Sequence, residues 1–291
     1  MACFNLQIMQ FKRKVIKSYK APTQLGFLGK GHLARAVIQI PYAQSDPFIA
    51  LMDDMLDKKD NIPAGGPHPH AGFETVSLMV DGEIIDSIDR LRAGDFQIMT
   101  AGSGIIHTGT ITQPTKGRLL QMWLNLPAKN RWIEPRVQDL PADRVPVNSA
   151  NGVSIRLYCG TLAGLHSPIE NFVPLLVAEF NLEPGVSTIQ TLPAGFNAFV
   201  YVLKGNVYAG DEKKLLEQEE TGWLDFRPGE DDSELTLTAG TEGTRLILYA
   251  AKPQGEPFVS QGPFIADTEE DIRKVYTRYT QGKLQHIADK H

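Results

Sequence analysis

Short apolar runs recur along this chain, each closed by glycine or proline within a few residues. Val37–Ile40, Thr75–Val80, Leu119–Leu124, Leu175–Phe180, Phe199–Leu203 and Arg245–Ala250 are too short for buried helices and are rich in β-branched and aromatic residues, so they read as strands. Helical spacing stands out in one place. Ile272, Val275, Tyr276 and Tyr279 fall three, four and seven positions apart, Asp267 and Thr268 can cap the start with Glu270 and Asp271 three residues on, and Gly282 can end the helix. The pattern predicts a mainly β protein with a short C-terminal helix.

The pattern also repeats. Ala71-Gly72-Phe73 returns as Ala194-Gly195-Phe196, and Gly82 returns as Gly205, both 123 positions later. Each copy holds a strand-like run between these landmarks, which predicts a duplicated β-domain. The expected division is 1–145 and 146–291, within the polar, proline-containing stretch Gln138–Gly152. Asp81-Gly82 is expected to be a hairpin turn that ends its strand.

Composition narrows the classes. The 291 residues are 42% hydrophobic and 22% charged, and their formal charge is −5. That length buries a core without staples. It offers no basic face for nucleic acid, and no apolar run long enough for a membrane helix. Met1–Phe11 lacks the basic leader of a signal peptide. Cys3 and Cys159 are the only cysteines, which argues against a structural disulfide and for a reducing, cytoplasmic setting.

The candidate chemistry lies in the first copy. His68 and His70 are two residues apart, so on an extended strand their imidazoles share one face. His107 follows the glycine-rich turn Gly102-Ser103-Gly104, which lets a second strand approach closely. Three imidazoles in a β-barrel suit Fe, Zn, Cu or Ni. Glu74, Val76, Leu78 and Val80 share even numbering with the histidines, so parity points Glu74 inward as a fourth ligand. A bulge at Gly72 would reverse that phase and turn Glu74 away. Positions 68, 70 and 74 map to Thr191, Pro193 and Asn197 in the second copy, which should bind no metal. His32, His166, His286 and His291 are taken as structural or surface residues. Met122 and Trp123 are read as core packing before pocket wall.

Several blocks carry a family resemblance. Gly66-Pro67-His68-Pro69-His70-Ala71-Gly72-Phe73-Glu74-Thr75-Val76, the run Gly94 to His107, Leu120 to Pro127 and Gly262 to Ile272 resemble the signature blocks of the pirin family. The likeness spans roughly residues 30 to 284. It implies two cupin domains, each a jelly-roll β-barrel, with the metal held in the N-terminal one by His68, His70 and His107. It implies Fe(II) first, leaving open Mn, Ni, Co, Cu, Zn or no metal. Some members resemble quercetin 2,3-dioxygenases, which implies a flavonol-like phenolic and O₂ as partners. Another is a nuclear, iron-dependent cofactor of transcription, which leaves open a metal- or redox-dependent module with a protein partner. One position departs from the family. Its pattern continues His-Ser-Glu, with the glutamate as fourth ligand, whereas this chain reads His107-Thr108-Gly109.

Overall fold

The computed structural model describes residues 11–85, 90–229 and 231–287. The chain is mostly β, in two compact units. The first contains β1 (Thr23–Leu25), β2 (His32–Ala36), β3 (Phe48–Lys58), β4 (Ala64–His70), β5 (Phe73–Ile85), β6 (Phe96–Thr100), β7 (Ile105–Ile111), β8 (Thr115–Asn125) and β9 (Arg136–Leu140). One sheet of this unit runs β9-β6-β5-β8-β3-β2-β1, with the short strand Arg90–Arg92 beside β5. A separate sheet pairs β4 with β7. The second unit is built on the antiparallel strands Val153–Cys159, Leu175–Leu182, Asn197–Ala209 and Asp232–Ala251, around a core that includes Phe180, Val200, Leu237 and Leu248.

The duplication is visible in the element bounds. Strand Ser187–Pro193 begins and ends 123 positions after β4, and strand Asn197–Ala209 is as long as β5. The paired glycines match in detail. Gly82 and Gly205 have φ of 71° and 70°, and a Cβ on them would come within 2.2 Å of Lys116 O and 2.1 Å of Gly243 O. This corrects the hairpin expectation. The strand runs on through Gly82 to Ile85, and the glycine serves a close backbone approach at a register shift between β5 and β8. Val37–Ile40 also lies just beyond its strand. Pro41 follows it, and Val37 N–H still bonds Leu51 O at 2.8 Å.

The units exchange their ends relative to the division at residue 145. Residues 11–19 belong with the second unit and residues 253–287 with the first. Hydrogen bonds explain the first exchange. The buried Arg13 guanidinium donates to the carbonyls of Pro193, Ala194, Phe196 and Asp225 and to Ser233 Oγ. Burial lowers its pKa to about 10, against the opposing pull of Asp225. At the other end, Ile265 N–H bonds Ala71 O, and strand Gln285–His286 runs parallel to β7 at Ile105 and Ile106. The helix spans Glu269–Thr280, with Thr268 Oγ1 accepting from Asp271 N–H as the capping residue. Ile272 and Val275 are buried against Ala71, Ile106 and Phe264. Tyr276 and Tyr279 stay largely exposed, with ring edges toward Phe264. Among the described residues no helix is long and apolar enough to cross a membrane.

Candidate metal centre

β4 and β7 run antiparallel, with His107 directly opposite His68 and Ile105 opposite His70. Alternation puts His68 and His70 on one face, as their spacing requires. The ring centroids are 4.7 Å apart for His68–His70, 5.0 Å for His68–His107 and 6.0 Å for His70–His107. One ligand nitrogen from each ring lies within 4.8 Å of the others, in the one such cluster among the described residues.

The local chemistry fits a cation. His68 Nδ1 lies 2.8 Å from Gly66 O, so it carries the proton and leaves Nε2 with a free lone pair. Burial, reinforced by the neighbouring His68 and His107, holds the His70 pKa well below its usual 6.5. His70 is therefore neutral at pH 7, the form that ligates metal. Its Nδ1 is buried and has no hydrogen-bond partner among the described residues, a cost that native interiors rarely leave unmet.

Glu74 does not join this cluster. Gly72, at φ 84°, breaks the strand phase between β4 and β5. The odd residue Phe73 turns toward the histidines, and its ring centroid is 5.3 Å from that of His70. Trp123 stands beside it, 5.7 Å from His70 and 4.3 Å from Phe73. Trp123 is thus wall of the histidine face, whereas Met122 is fully buried on the opposite one. Glu74 also faces the other way, where Oε1 accepts from Thr100 Oγ1 at 2.6 Å. Burial raises its pKa to about 7, against the Thr100 hydrogen bond and the charge of Arg136. Its Oε2 is buried without a partner among the described residues. The next position on the His107 face is Gly109, opposite Gly66, so the structure supplies no carboxylate there.

Of the remaining histidines, His166 and His286 are exposed and His291 lies outside the described residues, as does Cys3. Cys159 is a buried free thiol. His32 is more than packing. It is 2% exposed and its Nε2 lies 2.8 Å from Asp54 Oδ1. Nothing in the local sequence marks this pair, since Asp54 is 22 residues away and meets His32 through strand pairing alone. In the second unit, Thr191 faces Glu234 in the register that His68 and His107 occupy in the first.

The Pirin family model matches residues 33–124, and the model of the Pirin C-terminal cupin domain matches residues 177–285. Human Pirin is 32% identical over 265 residues, covering 88% of this chain and 89% of that protein. The crystal structure of a quercetin 2,3-dioxygenase from Acinetobacter baumannii is similar at a TM-score of 0.80 and 25% identity, covering 94% of this chain and 98% of that one. The Escherichia coli bacterial pirin YhhW, solved with nickel(II), shares the fold at a TM-score of 0.60 and 18% identity, covering 84% of this chain and 99% of that one. With both barrels matched by their models and the relatives matched over most of their length, the chain belongs to the pirin family.

Proposed function

We propose that this chain binds a divalent metal, Fe(II) first, through His68, His70 and His107, and acts as a quercetin 2,3-dioxygenase-type oxygenase on a planar phenolic such as a flavonol. The observation that carries the reading is the three-imidazole cluster, with one ligand nitrogen from each ring within 4.8 Å of the others and His70 held neutral by burial. When bound, such an ion supplies Lewis acidity and redox chemistry with O₂. The protein supplies the rest. The Gly66 carbonyl orients His68. The Phe73 and Trp123 rings form an apolar wall beside His70 for a planar aromatic ligand. Gly109 supplies no carboxylate next to His107, so the phenol must reach the site ionised or lose its proton to another group. The likeness to the Acinetobacter dioxygenase supports the substrate class.

Oxygen uptake with quercetin tests this, using protein stripped with chelator and reloaded singly with Fe, Mn, Ni, Co or Cu. Uptake with at least one metal, lost in His70→Ala, is the expected result. No turnover with any of them refutes the enzyme reading. Gly109 favours a second reading, a non-catalytic metal- or redox-dependent module with a protein partner, or a metal-free member. Elemental analysis of protein purified without chelators separates the metal-free case from the others.

A further inference from the structure

We infer that the first barrel takes an elongated ligand whose far end donates a hydrogen bond to Asp54, so that the His32–Asp54 pair selects among phenols; the inference rests on the metal-and-phenol reading above. Asp54 lies on the face that carries Trp123. In the pairing of β3 with β8, Ala50 is opposite Trp123, Met52 opposite Gln121 and Asp54 opposite Leu119. All six are partly exposed, whereas the alternating Leu120, Met122 and Leu124 are fully buried. This face is therefore partly open at each position from Trp123, beside His70, to Asp54.

The carboxylate is held on one side only. His32 Nδ1 accepts from Leu28 N–H at 3.2 Å, which places the ring proton on Nε2. Nε2 donates to Asp54 Oδ1 at 2.8 Å. The ring cannot swing away, because Gly26 packs so closely that a Cβ there would come within 2.2 Å of it. Asp54 Oδ2 makes no hydrogen bond among the described residues. A fixed carboxylate with one oxygen uncommitted is an acceptor for a hydroxyl donor.

Two paths give the span. Trp123 to Leu119 is four strand residues, at most about 13 Å. On the other wall, a Cβ on Gly65 would lie 3.4 Å from Leu28 Cδ2. Leu28 therefore sits three residues from His68 along β4, roughly 10 Å. Between the two ends lie Gly66 and Gly109, paired opposite each other, and a Cβ on Gly66 would meet nothing within 4 Å. Two glycines paired here, one of them Gly109 and the other with open space where its side chain would stand, leave no side chain in the way of a flat ligand extending between the ends. A flavonol with hydroxyls on its far ring has a length of this order.

The test is anaerobic fluorescence titration of the Fe(II)-loaded protein with quercetin and with galangin, the flavonol that lacks hydroxyls on the far ring. Wild type is expected to prefer quercetin by about tenfold, the value of one charge-assisted hydrogen bond. Asp54→Leu and Asp54→Asn should each bring the ratio to about one while leaving galangin affinity within about twofold. Asp54→Asn can still pair with His32 but presents an NH₂ in place of Oδ2, so it decides the matter if Asp54→Leu fails to fold. A preference that survives in Asp54→Asn overturns the inference and leaves the phenol reading standing. No binding of either flavonol to wild type overturns both.

Discussion

Glu74→Gln should remove a large part of this protein's loss of stability at alkaline pH. The wild-type carboxyl is fully buried on β5, with Thr100 Oγ1 on one oxygen and nothing on the other. Ionising it there is costly, so its pKa rises from 4.5 in the unfolded chain to about 7 in the fold. The folded state then holds a proton that the unfolded state has released. The stability that comes from this group is fully present below pH 4.5 and is lost as the pH climbs through about 7. At about 1.4 kcal/mol per pH unit the whole effect is about 3 kcal/mol, of which roughly 2.5 kcal/mol falls between about pH 5 and pH 8. Glutamine has the same shape and cannot ionise. Urea unfolding of wild type and Glu74→Gln across that window should give curves that converge or cross, with the variant gaining relative to wild type by about 2–3 kcal/mol at the alkaline end. A difference that stays constant within about 0.5 kcal/mol across the window would refute a buried, proton-holding Glu74.

Three further outcomes test other parts of the structure. Gly109→Glu returns a carboxylate to the His107 face and should raise Fe(II) affinity by about tenfold or more in chelator competition; unchanged affinity would mean that position 109 does not face the cluster. His70→Ala should copurify with far less metal by elemental analysis while keeping its far-UV circular dichroism, and an unchanged metal content would remove His70 from the site. Gly82→Ala should destabilise by about 3 kcal/mol or more, because the new Cβ meets the Lys116 carbonyl, whereas Gly185→Ala, at the same φ of 71° but facing open space, should cost about 1 kcal/mol. Equal urea midpoints for the two variants would show that close approach plays no part at Gly82.

Much of this was legible because it depends on local periodicity. His68 and His70 share a face by spacing alone, Thr268 caps the helix within its own segment, and the 123-residue offset survives in strands that start and stop at matching places. The misreadings came where one residue changes a phase or where distant segments meet. Gly72 reverses the alternation, so Glu74 leaves the face that parity alone assigns to it and Phe73 enters. Gly82 carries the composition of a turn, yet its strand continues, because the reason for glycine is the Lys116 carbonyl on a neighbouring strand. The His32–Asp54 pair and the exchanged ends depend on pairings across many residues, which no window of sequence reports.

The strands beside the histidine cluster also have a timetable. Ala71 and Ile105 are made early in synthesis, but their hydrogen-bonding neighbours Ile265 and Gln285 come from the far end of the chain. A ribosome that has finished β7 has not yet released the segment that closes over it. Contacts of this sequence separation form slowly and late. The first barrel in sequence is therefore completed only after the second has been made, and the ion it is proposed to hold meets its full surroundings only once residue 286 has been added.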